Sequence, residues 1–180
     1  MNCQFLLNIL LLSTLLTLPT MANAQQDSHA IFANLVGDWK GRNTVFFKPN
    51  EPAVDTADIQ GSTRLISGGR LLELSYMSTF KGKPIDGKLV ISYDEKYQEY
   101  LMTWIDSFHN SNRMLHLASA RGADKTNISA SGEYPADETV NWGWRIEVLP
   151  KGENGLKITH FNIPPGMEGI PGVVWEMKRT

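Results

Sequence analysis

Asp106, Ser107 and His109 bring a carboxylate, a hydroxyl and an imidazole close together along the chain, the three groups of a hydrolytic triad. Near neighbours in sequence seldom converge in space for that chemistry, and the sequence contains no Gly-x-Ser-x-Gly elbow. Asp106 and Ser107 equally suit a turn, where short polar side chains bond local backbone amides. No catalytic residue is therefore assigned. Glu73, Asp106 and Arg145 fall in strand-like stretches, so one or more of them can point inward as a polar anchor for a ligand, with Arg145 and Glu73 as a natural pair. The competing reading of these charges is an outward or structural salt bridge. His116 and His160 sit in alternating stretches, where an imidazole inside a barrel can reach a haem iron or another metal. No His-x-His or Glu-x-x-His pair provides metal spacing, so no metal or cofactor is expected. His29 and His109, placed on an opening helix and in a turn, carry less weight.

Aromatic residues give the stronger signal. Trp142 and Trp144 are two apart and share one face of a strand, with Ile146 and Val148 continuing the stripe. Trp104 shares its face with Tyr100, Met102 and Asp106, and which face points inward is left open by the pattern. The candidate ligand wall is Tyr76, Met102, Trp104, Trp142 and Trp144, with Glu73 and Arg145 as polar contacts. The same aromatic stripe also suits a solid core.

The elements that must hold these residues are strands. From Trp39 onward the apolar period is two, in about ten short stretches bounded by Gly, Pro and Asp turns. The expected strands cover 39–48, 57–66, 71–80, 89–93, 100–105, 114–120, 127–134, 140–149, 156–163 and 173–178. Ser28 is placed to cap a short helix over 29–36 that ends at Gly37. Successive hairpins without helical crossovers give antiparallel neighbours, and a sheet of this many strands loses its edges by closing on itself. The fold class is thus all-β, an antiparallel up-and-down barrel after one N-terminal helix. The stretch 164–172, rich in Pro and Gly, reads as a long loop at one barrel end, either a lid or a plain connection.

Residues 5–18 form an apolar stretch that ends at Ala22-Asn23-Ala24, the pattern of a secretory signal peptide cut before Gln25. That divides the chain into a leader, 1–24, and a single domain, 25–180, exported to the periplasm or the exterior. The sole cysteine, Cys3, lies in the leader, so disulfides, thiolate metal sites and cysteine nucleophiles are excluded from the mature domain. A formal charge of −2, spread along the chain, offers no basic stripe for nucleic acid. Nothing beyond the leader is apolar for long enough to span a membrane as a helix. Oligomeric state is left open.

Several motifs in order complete the reading: Leu35-Val36-Gly37-Asp38-Trp39-Lys40-Gly41, Gly69-Arg70-Leu71-Leu72-Glu73 with Tyr76, Gly82-Lys83-Pro84-Ile85-Asp86-Gly87, Tyr93-Asp94, and Tyr100 through Ser107. Together they resemble the bacterial family DUF1579, related to lipocalin-like or calycin-like barrels. The resemblance implies a fold, with the Gly-x-Trp element closing the narrow end, and lends no activity. The expected function is non-enzymatic binding of a small apolar or amphipathic ligand inside the barrel. The alternatives are an enzyme using cavity acid or base residues, and a packed barrel that binds a protein partner on its surface.

Overall fold

The computed structural model describes residues 32–109 and 113–180. The expected leader and its cleavage point, the capping Ser28 and residues 29–31 of the expected helix, His29 among them, lie outside them. Of that helix, the described remainder is helical at Phe32 and Ala33 and passes into a turn, with bonds from Leu35 N to Phe32 O at 3.0 Å and from Val36 N to Ala33 O at 3.2 Å.

Ten strands follow: β1 (Gly37–Val45), β2 (Asp55–Ile66), β3 (Leu71–Phe80), β4 (Lys83–Asp94), β5 (Glu99–Asp106), β6 (Leu115–Ala118), β7 (Ile128–Pro135), β8 (Asn141–Pro150), β9 (Gly155–Ile163) and β10 (Ile170–Arg179). Each pairs antiparallel with its sequence neighbours, and β1 pairs with β10 from Trp39↔Arg179 to Val45↔Val173. The sheet is therefore a closed barrel, which leaves no unpaired edge. Its wall is uneven. β6 has four residues, and β6 meets β7 at the single registered pair Ala118↔Ser131.

β4 departs most from the sequence expectation, starting at Lys83 instead of Leu89. The turn before it needs only Lys81 and Gly82, which take positive φ of 48° and 75° and so match the twist of the flanking strands. Pro84 and Gly87 then remain within the ladder, opposite Thr79 and Tyr76.

The two-residue period settles which faces are inside. On β5, Tyr100, Met102, Trp104 and Asp106 are all buried, while Leu101 and Ile105 are each 39% exposed. One end of the barrel is filled. There Trp39 packs with Phe32 and Leu35, donates from Nε1 to Thr63 Oγ1 at 2.9 Å and to Leu35 O at 3.2 Å, and lies under the Arg179 guanidinium, 4.3 Å from the ring centre. Arg179 also bonds the carbonyls of Asn34 and Val36, tying the last strand across the plug. The glycine at 41 is forced by closure, because a Cβ there would meet Glu176 O at 1.9 Å.

A Trp39→Ala variant loses both the packing and the indole bonds. Its unfolding free energy in urea is expected to fall by about 3–5 kcal/mol, with the secondary structure retained below the transition.

Candidate functional site

The opposite end is the mouth, where β1, β3, β5, β7 and β9 finish and the intervening loops gather. It encloses a cavity of about 200 Å³, walled by residues that include Trp104, Trp144, His160, Trp175, Phe80, Phe108 and Val173, with Asn43, His109, Tyr134 and Asn162 as polar neighbours. Alternation puts these side chains there: residues 43 and 45 of β1, 144 of β8, 160 and 162 of β9, and 173 and 175 of β10 all fall on the inner face. A shift in register between Pro171 and Val173 brings Gly172 into the wall.

The aromatic groups form one stack. Trp104 and Trp144 lie nearly parallel, with ring centres 5.1 Å apart and planes 13° apart. The His160 imidazole sits among three indoles, with centres at 4.9 Å from Trp104, 5.8 Å from Trp144 and 4.7 Å from Trp175.

Behind the stack runs a polar chain. Trp104 Nε1 donates to the Tyr76 hydroxyl at 2.9 Å, and that hydroxyl donates to Asp106 Oδ2 at 2.7 Å. The register makes this reach possible, since Tyr76, Gly87 and Asp106 share one row across β3, β4 and β5. A Cβ at residue 87 would lie 2.4 Å from the Tyr76 oxygen, so the glycine yields the space the phenol crosses. Asp106 Oδ1 accepts from the backbone amides of Phe108 and His109 and lies 3.1 Å from His109 Nδ1.

Burial pushes the Asp106 carboxyl up, but the His109 hydrogen bonds and charge, together with the Tyr76 bond, outweigh it and hold the carboxyl at about 2. Burial, reinforced by the Asp106 charge, pushes the Tyr76 phenol far above its ordinary value, so it remains a donor. An ionised Asp106 only accepts, so His109 Nδ1 carries a proton. In the neutral ring the other nitrogen, Nε2, is then an acceptor, on a residue of the cavity wall.

His160 differs. It is 1% exposed, and burial first, then the His109 charge, drives its imidazole down to about 3. Neither ring nitrogen has a hydrogen-bond partner among the described residues, and the same holds for Trp144 Nε1. Each such buried group left unpaired costs about 1–3 kcal/mol.

Among the seven residues expected at the site, Trp104 and Trp144 line the cavity. Tyr76 is buried directly behind it, and Met102 is buried deeper, in the filled half. Trp142 is partly buried near the start of β8 and does not line the cavity. Glu73 and Arg145 do not form the expected anchor pair. Glu73 lies on the outer face, alternating with Leu72 and Leu74, and is bridged by Arg64 at 2.7 Å and Lys88 at 3.4 Å. Arg145 is also outside, 3.0 Å from Glu147 and over the Phe161 ring. Both follow from strand parity, because their neighbours Leu72, Leu74, Trp144 and Ile146 take the core positions.

His109, Asn43, Trp175 and Tyr134 were not among the expected contacts. Trp175 alone had a usable signal, an aromatic in register with buried Val173 and Met177. His116 is outside, 3.1 Å from Thr103 Oγ1. A cavity of about 200 Å³ is below the range that takes drug-sized ligands, so a haem does not fit beside His160.

A closed antiparallel meander, filled at one end and hollow at the other, defines a lipocalin-like barrel. The chain belongs to the DUF1579 family, described as "Protein of unknown function (DUF1579)", whose profile matches residues 24–177. Among solved structures, it is similar to the S-type phycobiliprotein lyase of Guillardia theta, at 7% identity and a TM-score of 0.50, over 86% of this chain and 96% of that one. That likeness concerns the fold. No curated protein matches the chain in sequence.

The buried histidine sets a pH dependence. Above its ordinary 6.5, His160 is neutral in both states; below it the unfolded chain takes up a proton that the folded chain refuses until about 3. Stability is thus expected to decline between those values as the solution is acidified, by at most about 1.4 kcal/mol per pH unit. A second loss, from Asp106, begins only below 3.8. Urea titrations at several pH values are expected to show a flatter profile between pH 6 and 4 for His160→Leu than for the natural protein.

Proposed function

We propose that this protein is an exported, non-enzymatic barrel that holds a small, mainly apolar molecule in the mouth cavity. The observation that carries the reading is the chamber itself, where three indoles and an imidazole line about 200 Å³ at the barrel end opposite Trp39. An apolar cavity of roughly 150 Å³ accepts a benzene-sized guest, so the scale here is one ring or two fused rings. Export is supported by the apolar stretch at 5–18 and the Ala22-Asn23-Ala24 pattern after it.

Titration with indene, a two-ring hydrocarbon, followed by tryptophan emission, tests the reading. Saturable binding is expected. A Val173→Phe variant fills the chamber from β10 and is expected to lose that binding while keeping its unfolding temperature; retained binding in the filled variant would place the guest elsewhere.

Acid–base chemistry on a bound molecule is the second reading, and one observation favours it. Asp106 fixes the His109 tautomer and leaves Nε2 as a base at the cavity wall. Benzisoxazole ring opening suits the test, since a base removes the ring C–H proton as the N–O bond breaks and a nitrile and a phenolate form. His109→Ala is expected to lower the protein-promoted rate by about a hundredfold. Equal rates in the two proteins would remove this second reading.

A further inference from the structure

We infer that the mouth of the barrel docks onto the surface of an anionic lipid bilayer, through a row of phenyl rings at its rim and the cations beside them. This goes beyond the cavity reading and does not depend on it.

Turns ordinarily carry polar residues, yet the mouth loops hold large apolar ones. Among the described residues, the five most exposed large apolar side chains are Phe47 at 65%, Met114 at 61%, Met77 and Met167 at 56% each, and Phe108 at 48%. Met77 is on the outer wall, in β3, and the other four stand on three of the mouth loops. Phe47 and Phe108 are the two ends of one row, with Phe80 between them at ring-centre distances of 6.2 and 5.0 Å. Phe80 ends β3 and is buried, whereas Phe47 and Phe108 follow the ends of β1 and β5, where no strand covers them. Clustered apolar groups left in water mark a surface with a counterpart.

Charge selects that counterpart. The stretches 46–55, 80–83 and 107–114, which bear the row, carry Lys48, Lys81, Lys83 and Arg113 against Glu51 and Asp55, an excess of two positive charges. Glu51 is taken by Lys48 at 3.2 Å, and Asp55 accepts from the backbone amide of Lys81. Lys81 Nζ lies 5.6 Å from the Phe47 ring centre and 5.5 Å from that of Phe80. Lys81, Lys83 and Arg113 form no ion pair among the described residues. The other two mouth loops carry only acids, Asp137, Glu138 and Glu168. Loops follow one another round the rim in chain order, so the rim divides into a cationic arc with the phenyl row and an acidic arc.

Phenyl rings that enter the headgroup region while ammonium and guanidinium groups stay at the phosphates suit an anionic lipid surface. The barrel meets that surface tilted, with its acidic arc turned away. Its wall stays in water, since the outer face carries ion pairs such as Arg42 with Asp58 and Arg64 with Glu73. Phe47, Phe80 and Phe108 also line the chamber, so the contact sets the chamber's entrance against the lipid.

Sedimentation with vesicles is the test, using residues 25–180 so that the apolar stretch 5–18 does not itself bind lipid. In about 50 mM salt the protein is expected to partition at least about tenfold more strongly onto equimolar phosphatidylglycerol and phosphatidylcholine than onto phosphatidylcholine alone, a preference that falls to about twofold in about 500 mM salt. Phe47→Ser and Phe108→Ser are each expected to lower partitioning at least about fivefold, and Lys81→Gln combined with Lys83→Gln about tenfold. Met167→Ser, on the acidic arc, and Leu149→Ser, at the far end of the barrel, are expected to leave it within about twofold. The lipid and salt comparisons need no variant to fold. Absence of partitioning onto the anionic vesicles, or partitioning that Leu149→Ser or Met167→Ser lowers as much as Phe47→Ser, overturns the inference. Self-association that Phe47→Ser abolishes, without vesicle binding, assigns the rim to a second copy of the chain and overturns it as well.

Discussion

A closed wall of antiparallel strands sends every second side chain into a single interior, and that constraint governs the rest of this molecule. Once β1 pairs with β10, the interior volume is fixed and its contents are decided by parity. At one end the interior holds buried Phe32, Leu35 and Trp39, whose indole bonds Thr63 and Leu35 and lies under the Arg179 guanidinium. At the other end the same parity delivers Trp104, Trp144, His160 and Trp175 as a ring of flat groups that stack against one another and do not meet at the centre. The cavity is the geometric remainder of that stacking.

Polar groups inside such a wall have to be settled among themselves. Asp106 is the interior's buried carboxylate, and its charge is met by a phenol, two backbone amides and an imidazole. The phenol reaches it because residue 87 is glycine, so a missing side chain in the wall permits a contact inside it. Asn43 closes another account by bonding both Trp175 and Ser78. His160 and Trp144 stand apart, because the His160 nitrogens and the Trp144 indole nitrogen have no hydrogen-bond partner among the described residues.

Most of the architecture could be read from the chain because period and punctuation act locally. Alternating residues bounded by Gly, Pro and Asp located ten strands; β4 was begun latest, by six residues, since Pro84 and Gly87 look like a turn until Thr79 and Tyr76 are seen opposite them, and β10 by three, since Ile170 to Gly172 read as loop. The same period makes Trp104 and Trp144 wall candidates, although it leaves open which face of β5 points inward. Glu73 and Arg145 could not be placed, because a lone charge in a strand has no sign of its own; its face follows from which neighbours fill the core. His109 and Asp106 meet through a turn conformation that sequence spacing does not specify. The role of His160 depends on residues from β5, β8 and β10, and no pattern within β9 carries that information.

The brevity of β6 has a mechanical consequence. Elsewhere each strand is stitched to its neighbours along much of its length, yet β6 and β7 share a single registered pair. Local opening takes place where the fewest ladder bonds must break, so the cylinder breathes along that seam ahead of the rest of its circumference. Leu115, which stands at the start of β6, also faces the chamber. The weakest seam of the wall therefore borders the aromatic chamber, away from the loops at its rim.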